Sequence, residues 1–273
     1  MIDDRHWYVP LAADGDRRVF GFPHAGAGCA QLSSLADLLA GHSIALWSAN
    51  LPGRQARLAE PPRTELAGLV DELTDALVER IDDRPYDLFG YCGGAVLAFE
   101  VARRLRARSV RLPERMFVVS FEAPDIAWRP RRLPYLPSDV LWEYLTERGG
   151  VSGDLAVDPT VRRLVEPAVR ADFSWLGEYH CEPDAPLPVR AVVFHGLQDE
   201  DTLYGALLGW RRHSTEPVRL VPLDGGHWLL DDACAELADL MAREIAGPAA
   251  DRPDLDAVAS AAAGPVDLGG FGD

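Results

Sequence analysis

Asp87-Leu88-Phe89-Gly90-Tyr91-Cys92-Gly93-Gly94-Ala95 decides how this chain is read. The stretch runs from a short strand through a glycine-bounded turn into the start of a helix. Such a turn lifts one side chain above the sheet on a strained backbone. Gly90 and Gly94 flank it because the crossing of strand and helix leaves no room for a β-carbon. The side chain lifted here is the thiol of Cys92. A nucleophile at this point implies covalent acyl chemistry.

On either side of this turn, strands alternate with helices. Arg17–Phe22, Ser43–Ser48, Met116–Ser120, Ala191–Phe194 and Val218–Val221 read as strands. Gln31–Leu39, Leu66–Ile81, Ala95–Arg106 and Leu229–Ile245 carry apolar residues at helical spacing. The run Met116-Phe117-Val118-Val119 is continuously apolar, as expected of a strand covered on both faces. This order predicts an α/β fold, a mostly parallel sheet with helices on both faces. A site is then expected at the carboxyl ends of the strands. From about 124 to 188 the sequence turns to proline, tryptophan and short helical stretches, which reads as an inserted helical lid. The body is expected over 1–246, and 247–273, made of Ala, Gly, Pro and Asp, as a flexible tail.

Composition narrows the chemistry. The 273 residues suit one large domain. A formal charge of −16 argues against general nucleic-acid binding. No run is apolar enough to span a bilayer. Four cysteines, Cys29, Cys92, Cys181 and Cys234, lack metal or disulfide spacing, so reduced thiols in a cytoplasmic protein are expected, with no metal. Every basic side chain is arginine or histidine. Without a lysine there is no Schiff base, no pyridoxal phosphate chemistry and no P-loop, and no cofactor is expected.

A base and an acid are needed beside Cys92. Asp224-Gly225-Gly226-His227-Trp228 follows the last strand, and its glycines let the loop approach the turn; His227 is the candidate base, ahead of His24 and His195. His195-Gly196-Leu197-Gln198-Asp199-Glu200-Asp201 offers the acid, with Asp199 preferred on spacing and Asp201 second. The acid orients the imidazole and stabilises its charged form. Backbone amides must meet the developing oxyanion. Gly93 follows the nucleophile, and Ala25 lies in the glycine-rich loop Pro23-His24-Ala25-Gly26 after the first of these strands. A helix start and a nearby imidazolium both favour the thiolate.

Several segments in order resemble one family. Phe22-Pro23-His24-Ala25-Gly26, Leu51-Pro52-Gly53-Arg54 with Arg57-Leu58, Pro85-Tyr86-Asp87-Leu88-Phe89-Gly90, Ala98-Phe99-Glu100-Val101-Ala102-Arg103-Arg104-Leu105, Arg170-Ala171-Asp172 and Gly225-Gly226-His227-Trp228 are similar to motifs of the type II thioesterases of polyketide and nonribosomal-peptide assembly lines. The resemblance spans about Val19 to Ile245. It implies an α/β-hydrolase fold with a helical lid, and acyl thioesters held on the phosphopantetheine arm of an acyl or peptidyl carrier protein. It implies release of the acyl group by hydrolysis through Cys92, Asp199 and His227.

The chain departs from that family at Tyr91, Cys92 and Gly93, where histidine, serine and methionine are usual. Acylating serine turns a thioester into an oxyester and favours one-way release. Acylating Cys92 keeps a thioester, so another thiol, an amine or an alcohol could capture the acyl group. An acyltransferase or aminoacyl shuttle is therefore the alternative, and a non-catalytic carrier-binding scaffold or a small-ester or lactone hydrolase are further ones. Gly93 is expected to leave room beside the nucleophile. Trp128, Trp142 and Trp175 are candidates for an apolar acyl chamber. Arg129, Arg131 and Arg132 are candidates for docking an acidic carrier and its phosphodiester.

Overall fold

The computed structural model describes residues 7–127, 131–151 and 156–247. Its centre is a seven-stranded sheet of order β1-β3-β2-β4-β5-β6-β7. The strands are β1 (Tyr8–Ala12), β2 (Arg17–Phe22), β3 (Ile44–Ala49), β4 (Tyr86–Tyr91), β5 (Arg115–Val119), β6 (Arg190–Gly196) and β7 (Arg219–Leu223). β1 pairs antiparallel with β3; every other pairing is parallel. This is the α/β-hydrolase architecture that the resemblance implied.

Alternation along the strands feeds two cores. Phe20, Leu88, Met116, Val118 and Val193 point to one face, under helices α2 (Leu66–Val78) and α3 (Gly94–Ala107). Val19, Phe89, Phe117, Val192 and Phe194 point to the other, under α1 (Ser33–Ala40) and the C-terminal α8 (Cys234–Ala246). The continuous apolar runs of the sequence are thus two interleaved faces, both buried. α6 (Tyr204–Leu207) and α7 (Leu229–Asp232) are single turns beside the site. The helix expected from Leu229 to Ile245 is broken at Ala233, whose non-helical backbone (φ −139°, ψ 29°) separates α7 from α8.

Between β5 and β6 the chain leaves the sheet and builds α4 (Ser138–Glu147) and α5 (Pro159–Glu178). These carry a small core of their own, made of Leu133, Leu141, Trp142, Leu145, Ala156 and Val169. Glu166 ties the two helices: it accepts hydrogen bonds from Ser138 Oγ (2.6 Å), Trp142 Nε1 (2.8 Å) and Arg170. Asp158 caps α5 by accepting from the Thr160 amide at 2.7 Å. The expected tail from 248 onward lies outside the described residues.

Candidate active site

Four loops meet above the carboxyl ends of β2, β4, β6 and β7. The turn after β4 is as tight as its glycines require. Cys92 adopts φ 48°, a left-handed conformation costly for any residue with a side chain. Its amide donates to the Val119 carbonyl (2.9 Å), and the Ala95 amide closes the turn on the Cys92 carbonyl (2.9 Å). A β-carbon on Gly90 would lie 2.4 Å from Ala95 Cα, and one on Gly94 2.2 Å from the Phe22 carbonyl oxygen. Neither position admits another residue, because backbone cannot move aside.

The structure brings Cys92, His227 and Asp199 together. His227 Nδ1 lies 3.0 Å from Asp199 Oδ2, and Cys92 is close enough for its charge to act on the ring. With Nδ1 on the carboxylate, Nε2 is left for the sulfur. Burial alone would lower the pKa of His227, but the negative charge of a Cys92 thiolate and the hydrogen bond to Asp199 outweigh it and raise it to about 10. Burial likewise works against the Asp199 carboxylate; hydrogen bonds from His227 and Thr202 prevail and hold its pKa below the usual range. Asp199 Oδ1 accepts the amides of Asp201 (2.9 Å) and Thr202 (3.2 Å). Asp201, the second candidate acid, pairs with Arg148 instead. Donor atoms of Asp199, Asp201 and His227 lie within 4.8 Å of one another, as a metal site would need. They are engaged in the contacts just given.

The rival histidines sit elsewhere. His24 Nδ1 lies 2.9 Å from the Ala25 carbonyl, and burial lowers its pKa to about 4, so it is neutral and donates from Nδ1. Its ring packs edge-on against Trp228 at 5.0 Å. His195 is buried beside Tyr204, its pKa lowered by burial. Gly93 and Ala25 are neighbours: a β-carbon on Gly93 would sit 3.6 Å from the Ala25 amide nitrogen. The room expected beside Gly93 is taken by Leu176 of α5, whose Cδ1 would be 2.9 Å from that β-carbon.

A cavity of about 1110 Å³ opens over Cys92. The lid supplies its apolar wall, with Val161, Val165, Val169, Phe173 and Leu176 at helical spacing along α5 and Trp142 from α4. Trp142, one of the candidates for an acyl chamber, lines this cavity, and Trp175 does not. It is buried against the body of the protein, and its Nε1 donates to Asp172 at 3.3 Å. Arg131 and Arg132 are exposed and do not line the cavity; an Arg131 NH2 lies 3.4 Å from His180 Nε2. Trp128 and Arg129 lie outside the described residues.

Three features of the site escaped sequence reasoning. Ser120 follows β5 at φ 51°, buried, with its hydroxyl unpartnered among the described residues and its side of the cavity next to Cys92. Trp228 bonds the Arg148 carbonyl and so seats the end of α4 on the histidine loop. Arg54 and Asp172, in two of the motifs quoted above, form a buried ion pair beside the Ala25 loop. Only the Trp228 contact had a signal, an aromatic directly after the candidate base.

Among the described residues no helix is long and apolar enough to cross a membrane. Comparison with known proteins places the site in a family. The thioesterase domain model matches residues 17–244. A probable cadicidin biosynthesis thioesterase from Streptomyces griseus is 32% identical over 247 residues, covering 89% of this chain and 67% of its own length. The solved structure of the RedJ thioesterase of the prodiginine pathway in Streptomyces coelicolor superposes with a TM-score of 0.78 at 28% identity, over 84% of this chain and 86% of that one. BorB, a type II thioesterase from the borrelidin biosynthetic cluster, gives a TM-score of 0.80 at 26% identity, over 88% and 97% of the two chains. With its elbow turn, its helical lid and a family match running from β2 to α8, the chain belongs to the thioesterase family.

Proposed function

We propose that this thioesterase hydrolyses acyl groups from the phosphopantetheine arm of an acyl or peptidyl carrier protein in polyketide or nonribosomal-peptide biosynthesis, through an acyl-Cys92 intermediate. The observation that carries it is His227, hydrogen-bonded to Asp199 and placed with Cys92 on the wall of a large, mostly apolar cavity. The pathway class comes from the named roles of the relatives.

In the first half-reaction the Cys92 thiolate adds to the thioester carbonyl. The oxyanion forms beside the amides of Ala25 and Gly93. Collapse breaks the bond to the pantetheine sulfur, which leaves with the proton held on His227 Nε2. In the second half-reaction His227 takes a proton from water as the water oxygen adds to the acyl carbon. The bond to Cys92 breaks, the acid departs, and the proton stays on the imidazole beside a restored thiolate.

The electrostatics suit both halves. Before acylation a negative sulfur helps to hold His227 as an acid. Acylation removes that charge, so the pKa of His227 falls and the ring becomes a base when a base is required. Asp199 keeps the ring oriented throughout. A scaffold that only bound a carrier would need none of these contacts.

Cys92 itself favours a second reading, transfer of the acyl group to another thiol, an amine or an alcohol. An acyl-cysteine conserves thioester energy and can pass it on. Intact-mass measurement of the enzyme mixed with an acylated carrier separates the two. Free acid and transient acyl-Cys92 without added acceptor support hydrolysis. An adduct that persists until an acceptor is added supports transfer. No adduct on Cys92 at all refutes both.

A further inference from the structure

The motifs at Arg54 and Asp172 are 118 residues apart, and the fold brings them into one buried contact. Arg54 donates from one NH1 to Asp172 Oδ2 at 2.6 Å and from NH2 to Oδ1 at 2.9 Å, a two-pronged pair. Both side chains are almost wholly removed from solvent, 7% and 2% exposed. The same carboxylate accepts two more donors: the Gly26 amide on Oδ2 at 2.7 Å and Trp175 Nε1 on Oδ1 at 3.3 Å. Arg54 NH1 also reaches the Ala27 carbonyl at 3.1 Å.

Three segments therefore converge on one carboxylate. Arg54 belongs to the loop after β3, Gly26 and Ala27 to the loop after β2, and Asp172 to the middle of lid helix α5. Gly26 sits at φ 82°, and a β-carbon there would lie 2.7 Å from Val169 Cγ2, so α5 lies directly on this loop. The amide that Asp172 fixes is the one next to Ala25. The Gly26 N–H belongs to the Ala25–Gly26 peptide plane, one α-carbon from the His24–Ala25 plane whose amide lies beside Gly93, so holding it restricts how that amide can turn.

We infer that Arg54 and Asp172 are positioning residues, a clamp that sets the oxyanion-binding loop against the lid helix so that the Ala25 amide is placed for the transition state. This rests on the thioester reading of Cys92. A buried ion pair is weak evidence for stability, since an apolar pair of similar volume often serves as well. What an apolar pair cannot supply is an acceptor for the Gly26 amide and a donor for the Ala27 carbonyl. The clamp touches neither Cys92 nor His227. It should govern the step that develops an oxyanion and leave untouched a step that does not.

Two reactions of the full-length enzyme make that distinction. Alkylation of Cys92 by iodoacetamide displaces iodide at carbon and develops no oxyanion. Turnover of an acyl-N-acetylcysteamine thioester does. In Asp172→Asn and Arg54→Lys, kcat should fall roughly 10²-fold, the loss that follows an ångström-scale misplacement, while KM and the alkylation rate stay within about twofold of wild type, the spread expected where no contact to the thiol or the substrate is lost. The double variant should be no slower than the slower single one, because the two act as a unit. Should Asp172→Asn fail to fold, Arg54→Lys, which keeps the charge, carries the test. Wild-type kcat in either folded variant overturns the proposal. So does equal loss of alkylation and turnover, which would mark general damage to the site. Failure of the underlying thioester reading shows separately, as a wild-type enzyme that alkylates at Cys92 but never acylates.

Discussion

In the free enzyme His227 lies between a carboxylate and a sulfur, and its charge depends on both. Its pKa, raised from 6.5 to about 10, means that the imidazolium persists through neutral pH and loses its proton only as pH rises through about 10. Burst-phase acylation should hold up to that pH and then decline. In Cys92→Ser the thiolate charge is gone, so the pKa of His227 drops. Serine also needs a neutral imidazole, so acylation should now rise with pH through a deprotonation well below 10, as stopped-flow pH profiles would reveal. Asp199→Asn removes the orienting acceptor and should lower kcat by roughly 10²- to 10⁴-fold. Beside the nucleophile, Leu176→Ala should widen the range of branched acyl groups turned over, at a cost of about 2–3 kcal/mol in stability from the methyl groups lost. Strand order and glycine spacing mark Cys92, His227 and Asp199 as candidates. Nothing in the chain marks Ser120: an isolated serine carries no local sign of a left-handed φ.

Lid helix α5 works with two faces. Val161, Val165, Val169, Phe173 and Leu176 border the cavity, while Asp172, Trp175 and Tyr179 turn to the body. The sequence contains both stripes at spacings of three and four, but nothing local says which faces inward. Trp175 was for that reason expected in the chamber and is found under the helix. Glu166 holds α5 to α4 through two donors of α4, Ser138 and Trp142. Burial works against its charge, yet the hydrogen bonds from Ser138, Trp142 and Arg170 win and lower its pKa below the ordinary 4.5. A depressed carboxylate stabilises above its unfolded value, and that contribution is lost as pH falls through the folded one. The lid should therefore loosen below about pH 4.5 before the body does, which hydrogen exchange of the α4 and α5 amides would follow. Glu166→Gln should show the same loosening at neutral pH. The clamp of Arg54 on Asp172 lay beyond sequence reasoning because two residues that distant in the chain meet only through tertiary structure.

Across the whole molecule the central sheet was legible and its edge was not. The expected strands agree with β2 to β7 to within a few residues, since two interleaved apolar faces leave a continuous signal. β1 was missed. It is an antiparallel edge strand, mostly half-buried, with Pro10 inside it and a register shift between Pro10 and Ala12, so it lacks that signal. At −16 the protein repels an acidic partner unless local arginines intervene. If Arg131 and Arg132 serve a carrier, replacing both with alanine should reduce kcat/KM for the carrier-bound substrate at low salt and flatten its salt dependence, leaving a free thioester unaffected. Unchanged salt dependence would remove these two from the docking surface. One residue reports on the assembled state from within. Trp228 bonds the lid through Arg148, and its indole lies 5.1 Å from the His227 ring. Protonated imidazole quenches a neighbouring indole, so the enzyme carries its own fluorophore: brightening on mixing with substrate would time the loss of charge at His227, turnover by turnover, with no label attached.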